Sequence, residues 1–471
     1  MKSGSRVYLA GIGGIAMASL GAMLAERDFA VSGSDAGVYS PASEMLRAAG
    51  IQWKEGFREQ NLDPRPDWVV IGNALSRGNP EVERILDEKI PYRSLPAVIE
   101  EVFLPGHRSL VVTGTHGKTT TTSLLAWILH VAERKPDFLI GGMVPNFGTS
   151  FGLGGGEEFV IEGDEYDSAF FDKGPKFLHY HPDDLVITSL EFDHADIYPN
   201  LEAIELQFRR LVNLVPRRGR IVAWSESATV RAVTAKAFCP VESYGLGEGY
   251  DWTAKDLEFG EETTRFRALH GAREVGAFEM RLAGRHNVLN ALAAIAVASG
   301  RGVEPGAIRE ALGSFRGVRR RLEPRGEARE VLVVDDFGHH PTAVRETIAA
   351  ARGRWPGRRI WAVFEPRSNT MRRNLLENEL ADALATADAA VIGPVNRAQL
   401  LSDEERLDPG RVVARIRREG RPAWAFGSAA EIAEFVAGKA EAGDLVLALS
   451  NGSFDGLCEK VLAALTRRAG G

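Results

Sequence analysis

Short apolar runs recur along the chain, and most are followed by a polar or glycine-containing turn and a segment compatible with a helix. Runs of this length between turn residues are typical of buried β-strands. Their alternation with helical segments predicts an α/β protein built on mostly parallel sheets. The main predicted strands cover residues 6–10, 30–32, 68–71, 110–112, 159–161, 185–188, 331–334, 360–364, 389–392 and 445–449.

One region has a different pattern. Residues 241–282 contain short segments rich in aromatic and β-branched side chains, such as Thr-Thr-Arg-Phe-Arg at 263–267. This pattern favours antiparallel strands. The sequence Gly-Arg-His-Asn at 284–287 then leads into an alanine-rich helix over residues 288–299. We therefore expect a small antiparallel sheet beside the parallel one.

A chain of 471 residues is too long for one hydrophobic core, and about three domains are expected. Proline, glycine and arginine at 104–107 and 316–325 indicate two short linkers. The predicted domains are residues 1–106, 107–321 and 322–471. We expect the first and third to be Rossmann-like, and the second to hold a mostly parallel sheet plus the small antiparallel one.

Composition narrows the class of protein. The chain is 44% hydrophobic and 26% charged, as in an ordinary globular protein, and its net charge of −7 argues against nucleic-acid binding. Apolar runs stay well below the roughly 20 residues of a membrane helix, and the N-terminus lacks a signal-peptide pattern. Two cysteines predict no disulfide framework. A cytoplasmic protein without a membrane or obligate protein partner is expected.

The strongest local signal is Leu-Val-Val-Thr-Gly-Thr-His-Gly-Lys-Thr-Thr at 110–120. An apolar strand enters a glycine turn, and Lys118 opens a helix. Such a turn presents backbone N–H groups and a helix dipole to phosphates, and lysine adds a full positive charge. Thr119 stands where a hydroxyl reaches a nucleotide-bound magnesium ion. Val112 replaces the first glycine of the usual pattern, so the prediction depends on the strand–turn–helix context.

A second glycine motif lies near the N-terminus. Gly11, Gly13 and Ala16 follow the first strand as G-x-G-x-x-A, and Asp35 follows the second. This is the dinucleotide fingerprint, and alone it suggests a nicotinamide or flavin enzyme. The motif predicts a turn that accommodates a diphosphate, but it does not specify which nucleotide binds there.

Acidic clusters follow two predicted strands of the central region. Glu162-Gly163-Asp164-Glu165 follows one strand, and Glu191-Phe192-Asp193-His194 follows the other. Ligands of open α/β sheets bind at the carboxyl ends of the strands, and magnesium prefers carboxylate oxygens. Either cluster alone is equally compatible with solvated loop acids. Together with Lys118 and Thr119, they predict a magnesium–nucleotide site.

With these pieces in order, the chain resembles the Mur ligases of peptidoglycan synthesis along nearly its full length. The resemblance rests on residues 114–120, 162–165, 193–194, 284–287 and 335–341, and on longer stretches at 34–41, 71–83, 165–182, 364–373 and 450–457. Two departures are visible. Gly163 stands where relatives usually carry alanine, and residues 195–216 contain no lysine that could be carbamylated to support a metal.

The resemblance implies an ATP-dependent amide ligase. A carboxylate accepts the γ-phosphoryl group, and an amine then attacks the acyl phosphate. The branch it resembles joins L-Ala-γ-D-Glu-meso-diaminopimelate to UDP-N-acetylmuramate in peptidoglycan recycling. The implied catalytic residues are Lys118, Glu162 and His194, with Mg²⁺ held by Thr119, Glu162 and His194. An imidazole ligand also suggests Mn²⁺.

The resemblance further implies three groups of binding residues. The ATP-binding set comprises Gly114, Thr115, His116, Gly117, Lys118, Thr119, Thr120, His286, Asn287, Asn290, Arg320 and Asp336, with Arg319 and Arg321 as open alternatives to Arg320. The UDP-sugar set comprises Gly11, Ile12, Gly13, Gly14, Ile15, Ser34, Asp35 and Asn73. The peptide set comprises His339, His340, Arg367, Ser368, Asn369 and Arg372, and leaves open which histidine faces substrate.

Three alternatives remain open at this point. A UDP-N-acetylmuramate–L-alanine ligase would share the motifs and differ in the amine. An NAD-dependent oxidoreductase would explain Gly11–Asp35 but would leave Lys118 without a task. A catalytically inactive nucleotide sensor would bind ATP without releasing ADP. The short linkers also predict that the domains close around the nucleotide and exclude water from the acyl phosphate.

Overall fold

The computed structural model describes residues 2–469, and its strands form three large sheets that follow one another along the chain. The first sheet is wholly parallel, with strand order β3-β2-β1-β4-β5. Its elements are β1 (Arg6–Ala10), α1 (Ile15–Glu26), β2 (Ala30–Asp35), α2 (Ala42–Ala48), β3 (Gln52–Glu55), β4 (Trp68–Ile71), α3 (Pro80–Asp87), β5 (Tyr92–Arg93) and α4 (Leu95–Val98), which continues into a π-turn at Ile99–Phe103.

The central sheet has ten strands in the order β17-β16-β15-β14-β13-β12-β6-β9-β7-β8. Its first elements are β6 (Arg108–Thr113), α5 (Lys118–Val131), β7 (Asp137–Val144), β8 (Thr149–Leu153), β9 (Glu158–Gly163), a separate hairpin of β10 (Asp167–Ala169) and β11 (Asp172–Pro175), and β12 (Asp184–Ile187). It continues with α6 (Leu201–Leu214), β13 (Arg220–Trp224), α7 (Ala228–Thr234), β14 (Val241–Gly245), β15 (Trp252–Phe259), β16 (Thr264–His270), β17 (Arg273–Met280), α8 (Arg285–Gly300) and α9 (Pro305–Ser314).

The C-terminal sheet has six strands in the order β18-β19-β23-β20-β21-β22, and all its pairs are parallel except β18 with β19. Its elements are β18 (Glu323–Ala328), β19 (Val331–Asp336), α10 (Pro341–Arg354), β20 (Ile360–Phe364), α11 (Glu377–Leu384), β21 (Ala389–Ile392), α12 (Pro409–Arg418), β22 (Ala423–Ala425), α13 (Ala429–Lys439), β23 (Leu445–Leu449) and α14 (Leu457–Ala469).

The α/β class and the three-part organisation predicted from the sequence are confirmed. The antiparallel strands β15–β17 are present, but they continue the central sheet and do not form a separate one. Strand β7 and the edge strand β8 were not predicted. The glycines at 141 and 142 interrupt the apolar run of β7, which removes the strand signal.

Helix α5 is positioned by burial on the central sheet. Leu124, Leu125 and Ile128 are fully buried and pack in the same core as Val288 and Leu292 of α8. Because α8 is apolar almost all round, it is buried along most of its length. The two helices thus fix the start of α5, which carries Lys118, against the start of α8.

Polar side chains join the three parts. Ser19 of α1 and Ser150 of β8 have their hydroxyl oxygens 2.8 Å apart. Thr370, which follows β20, donates its hydroxyl to Asp193 after β12 at 2.5 Å. Within the part of the chain that the structure describes, helices lack the combined length and apolar character that spanning a bilayer requires.

Candidate active site

A cavity of about 640 Å³ lies between the central and C-terminal sheets, and Ala16 of α1 reaches its wall. Its lining follows the carboxyl ends of β6, β9, β12, β13 and β14, together with those of β19 and β23. Carboxyl ends of parallel strands are the usual ligand-binding edge of such sheets. The cavity therefore brings the predicted phosphate loop and both acidic clusters together.

The phosphate loop is held in shape by close contacts. Gly117 has φ of +81°, and a Cβ there would lie 2.3 Å from Oδ1 of Asn290, so only glycine fits. The backbone N–H of His116 donates to Ser189 Oγ at 2.8 Å. Lys118 folds back and donates to the carbonyl of Gly114 at 2.7 Å. The lysine ammonium is thus placed at the mouth of the loop before any nucleotide binds.

Lys118 also contacts Glu165, which the sequence placed in an acidic cluster but not among the catalytic or metal-binding residues. Nζ of Lys118 lies 2.8 Å from Oε2 of Glu165, and Oε1 of Glu165 lies 3.2 Å from Nε2 of His194. Burial opposes charge on Glu165, but Lys118 and His194 outweigh it and lower the pKa of this carboxyl to about 2. Burial likewise opposes charge on Lys118, yet the acids around it hold its pKa above the usual range.

Thr119 and Glu162 form a second polar group at the same edge. The hydroxyl of Thr119 donates to Oε1 of Glu162 at 2.9 Å, and the N–H of Gly141 donates to Oε2 at 2.8 Å. Burial, and then the negative charge of Asp164, raise the pKa of Glu162. A hydroxyl and a carboxylate that lie close to a second carboxylate, that of Asp164, suit a hard cation such as Mg²⁺.

His194 does not lie in the Thr119–Glu162 pair in this structure. It has φ of +55° and turns its Nε2 toward Glu165. Burial lowers the pKa of His194, but the hydrogen bond and charge of Glu165 outweigh that effect and raise it. The three predicted metal ligands therefore line one cavity, with His194 paired through Glu165 to the lysine.

Two imidazoles converge on Glu191 beside the phosphate loop. Oε2 of Glu191 lies 3.3 Å from Nε2 of His116 and 3.4 Å from Nδ1 of His340, and it accepts the hydroxyl of Thr342 at 2.7 Å. Despite burial, these partners lower the pKa of Glu191 to about 2. Burial lowers the pKa of His340 to about 4. This cluster joins the central part to the start of α10.

His339 and His340 have different environments. His339 lines the cavity, and its Nδ1 lies 3.0 Å from the carbonyl oxygen of Phe337. Burial lowers its pKa, although the charge of Asp193 opposes this. His340 is buried, and its Nδ1 accepts the N–H of Thr342 and so caps α10. His339 is therefore the histidine that faces the cavity.

The side chains of Arg320 and Arg321 have different surroundings. Arg320 donates to Asp335 at 3.0 Å and to the carbonyls of Ser450 and Gly452, so its guanidinium is bound within the C-terminal part. Arg321, and not Arg320, lines the cavity. Arg320 therefore has protein partners in this structure, and its expected contact with phosphate stays a prediction.

The carboxylate of Asp336 accepts hydrogen bonds from groups of the protein itself. Its carboxylate accepts the N–H groups of Leu322 and Gly338, both at 2.7 Å, and the hydroxyl of Thr347 at 3.3 Å. It borders the cavity but is only 3% exposed. Its bonds fix the linker to β19, and its expected contact with the nucleotide stays a prediction.

The predicted adenine-binding residues divide into two kinds. His286 lines the cavity, with its Nδ1 3.8 Å from Glu346. Asn287 donates to the carbonyl of Ala283 at 2.7 Å, and Asn290 donates to Asn287 at 3.1 Å. The two asparagines thus hold the start of α8 against the phosphate loop. All three side chains line the cavity, and their expected contacts with ATP stay predictions.

The N-terminal glycine turn is closed by its own residues. Asp35 accepts the N–H of Gly13 at 2.7 Å, and a Cβ on Gly13 would lie 2.9 Å from this carboxylate. The N–H groups of Gly11 and Ile12 bond to the carbonyl of Ser34. The next N–H groups, those of Gly14, Ile15, Ala16 and Met17 at the start of α1, have no backbone acceptor among the bonds of residues 2–469.

Two polar side chains predicted for the UDP-sugar site are engaged elsewhere. The hydroxyl of Ser34 is buried and donates to Glu81 at 2.7 Å. Asn73 donates to Asp167 of β10 at 3.2 Å and so links the N-terminal and central parts. The hydroxyl hydrogen of Ser34 therefore already has an acceptor, and the expected contact of Ser34 with the UDP-sugar stays a prediction.

The predicted peptide residues lie on the loop after β20. Arg367 pairs with Glu365 at 3.3 Å, and Ser368 accepts the N–H of Met371 at 3.1 Å. Asn369 donates to Asp196 at 2.6 Å and receives a hydrogen bond from Arg372. The loop therefore docks on residues 193–196, next to His194.

Comparisons with known proteins agree with this architecture. Three domain families match the chain: the Mur ligase family catalytic domain over residues 6–104, the Mur ligase middle domain over 112–298, and the Mur ligase glutamate ligase domain over 320–452.

Full-length relatives are similar as well. The UDP-N-acetylmuramate–L-alanyl-γ-D-glutamyl-meso-2,6-diaminoheptandioate ligase of Escherichia coli (strain K12) is 42% identical over 98% of this chain and 99% of its own. The UDP-N-acetylmuramate–L-alanine ligase of Solibacter usitatus is 35% identical over 98% and 95%. The crystal structure of a murein peptide ligase from Psychrobacter arcticus 273-4 superimposes with a TM-score of 0.75, at 34% identity over 98% and 99%. The chain belongs to the Mur ligase family of ATP-dependent, amide-bond-forming ligases.

Proposed function

We propose that this ligase joins the amine of L-alanyl-γ-D-glutamyl-meso-diaminopimelate to the carboxylate of UDP-N-acetylmuramate. The observation that carries the proposal is the higher full-length identity to the tripeptide ligase, 42% against 35% for the alanine ligase. The basic loop after β20 supports it, because a tripeptide with several carboxylates needs more positive groups than free L-alanine does.

Carboxylates are poor electrophiles, so the acid first accepts the γ-phosphoryl group of ATP and becomes an acyl phosphate. Two anions must meet in line, and the barrier falls mainly through positioning and charge neutralisation. When ATP binds, the ammonium group of Lys118 is proposed to leave Glu165 and to pair with the β- and γ-phosphates. Arg321, which also lines the cavity, adds a second positive charge.

Magnesium is proposed to bind at Thr119 and Glu162, with His194 near the γ-phosphate. The fit rests on the hard oxygen donors of Thr119 and Glu162 and on the nearby charge of Asp164, which adds to the effect of burial in raising the pKa of Glu162. When bound, the ion supplies charge neutralisation and a fixed orientation of the phosphates. Glu165, which also contacts His194, holds Lys118 beside the loop.

The amine then attacks the acyl phosphate, and phosphate leaves from the tetrahedral intermediate. His339 is proposed to orient this amine. A carbonyl oxygen only accepts, so Nδ1 of His339 carries the hydrogen directed at Phe337, and Nε2 is left as an acceptor for the amine. Closure of the C-terminal part over the cavity excludes water that would hydrolyse the acyl phosphate.

The peptide carboxylates are proposed to bind the arginines of the loop after β20. Among residues 2–469, Nε of Arg372 and Nη1 of Arg373 are buried without a hydrogen-bond partner. Burial and the charges of Arg373 and Arg397 lower the pKa of Arg372. Unpaired buried guanidinium hydrogens in a positive field favour a ligand carboxylate. Asn369 and Ser368 would fix the loop around it.

The nucleotide sugar is proposed to bind the N-terminal part, with its diphosphate at Gly14 and Ile15, where the start of α1 leaves amide hydrogens free to donate.

Domain limits at 106/107 and 321/322 are supported by the sheets, since β5 ends at Arg93, β6 begins at Arg108 and β18 begins at Glu323. A cytoplasmic location is proposed because ATP and the UDP-sugar are cytoplasmic substrates.

The test is a substrate comparison with purified protein, ATP and UDP-N-acetylmuramate. ADP release is measured with L-alanine, with the tripeptide, and with neither amine. We expect kcat/KM for the tripeptide to exceed that for L-alanine by at least about 100-fold, since lost carboxylate contacts each cost roughly 1.5–3 kcal/mol. Faster use of L-alanine would assign the alternative activity. ADP release with neither amine present would show uncoupled hydrolysis.

A further inference from the structure

The cluster of His116, Glu191 and His340 has the geometry of a transition-metal site. Tetrahedral zinc with ligand distances of roughly 2.0–2.1 Å has ligand–ligand edges of about 3.3–3.4 Å. The edge from Glu191 Oε2 to His116 Nε2 is 3.3 Å, and the edge to His340 Nδ1 is 3.4 Å. All three ligand atoms lie within 4.8 Å of one another.

The hydrogen bonds of His340 orient it as a ligand. Its Nε2 lies 3.3 Å from the carbonyl oxygen of Phe192, which can only accept, so Nε2 carries the hydrogen. Nδ1 then carries the lone pair. It accepts the N–H of Thr342 at 3.3 Å and lies 3.4 Å from Oε2 of Glu191, so a cation bound between Nδ1 and Oε2 would take this lone pair in place of the amide hydrogen. Metal-binding histidines commonly donate their other N–H to a backbone carbonyl in this way.

The environment favours a late first-row cation over magnesium. Two imidazoles and one carboxylate match zinc chemistry, whereas magnesium prefers oxygen donors. His116 and Glu191 line the cavity, and so does Thr342, whose hydroxyl donates to Glu191. A fourth ligand, water or a phosphate oxygen, could therefore approach from the cavity side.

We propose that His116, Glu191 and His340 form a binding site for a late first-row divalent cation such as Zn²⁺, which links the phosphate loop to the C-terminal part. His116 and Glu191 belong to the central part, and His340 begins α10. A bound cation would hold the two parts together. The site is separate from the Thr119–Glu162 pair, and the inference does not depend on which amine the enzyme uses.

The test uses the full chain without nucleotide, equilibrated with Zn²⁺ or with Co²⁺, whose visible absorption reports tetrahedral coordination. We expect one cation per chain in the wild type and at least tenfold weaker binding in Glu191→Gln and His340→Asn, because even changes in groups that orient a ligand cost about 10–100-fold. The side-chain oxygen of asparagine can still accept the N–H of Thr342 and cap α10. His340→Asn should therefore fold like the wild type, so that weaker Zn²⁺ binding is not caused by unfolding.

Two matched controls decide the assignment. His339→Ala removes the adjacent imidazole, and His194→Ala removes the imidazole near the proposed magnesium site, so both should bind Zn²⁺ like the wild type. Loss of binding in His194→Ala with retention in His340→Asn would overturn the inference, as would equal binding in every variant. Zn²⁺ should also raise the Tm of the wild type but not of His340→Asn.

Discussion

Nζ of Lys118 lies 2.8 Å from Oε2 of Glu165, so the lysine of the phosphate loop already has a carboxylate partner in the protein. A nucleotide must compete with this partner for the ammonium group. The pair also keeps the buried lysine charged, since the acids around it hold its pKa above the usual range. Glu165 therefore sets the position and the charge of the group that meets the phosphates.

Replacing Lys118 by methionine should reduce kcat by about 100–1,000-fold, the usual cost of removing one group that stabilises transition-state charge. Steady-state kinetics with ATP and UDP-N-acetylmuramate would measure it. Lys460→Met is the control, because Lys460 lies on α14 and pairs with Asp455 away from the cavity. An unchanged rate in Lys118→Met would contradict the proposed role of the loop.

Glu165→Gln should have a smaller effect, about tenfold, because Lys118 keeps its hydrogen bond to Gly114. Since Glu165 acts through Lys118 and His194, we expect kcat to fall more than KM for ATP rises. Comparing the two parameters separates this positioning role from direct binding. A rise in KM at constant kcat would instead indicate that Glu165 contributes only to ATP binding.

Thr370→Val should weaken closure of the C-terminal part, because it removes the hydrogen bond to Asp193. Both residues are buried, so about 1–1.4 kcal/mol, or a five- to tenfold change in the closed population, is expected. Small-angle scattering with an ATP analogue and UDP-N-acetylmuramate would detect a larger average radius. Thr466→Val, which removes a hydroxyl bond within α14, should leave the radius unchanged.

Arg372→Lys should raise KM for the tripeptide at least tenfold while ATP binding stays constant. Lysine keeps the charge but lacks the planar pair of donors that meets a carboxylate. The exposed Arg418 of α12 gives the matched control, Arg418→Lys. If Arg372→Lys left KM unchanged, the carboxylate site would have to be sought elsewhere in the cavity.

Alkaline pH should destabilise the fold through Cys458. Burial raises the pKa of this thiol to about 12, whereas an unfolded cysteine titrates near about 8.5. Between these values the unfolded chain releases the proton and the folded chain keeps it, so the free energy of unfolding falls as pH rises. The slope contribution is up to about 1.4 kcal/mol per pH unit. Urea unfolding between about pH 8 and 9.5 should show a shallower slope in Cys458→Ala; equal slopes would contradict the burial effect.

The sequence alone determined the strand–turn–helix around Lys118, the α/β class and the family. These features depend on local order, since a buried strand, a glycine turn and a helix start are adjacent in the chain. The start of α3 also depends on local order, because Asn79 caps the helix by accepting the N–H of Glu81 at 3.0 Å and Pro80 follows in its first turn.

Only the tertiary structure decided which polar groups meet. Glu165 and Lys118 are 47 positions apart, and Thr370 and Asp193 are 177 apart, so no local pattern links them. The structure also separated Arg321, which lines the cavity, from Arg320, which is bound inside the C-terminal part. A one-residue difference sends neighbouring side chains to different surroundings, and that choice depends on how separate sheets pack together.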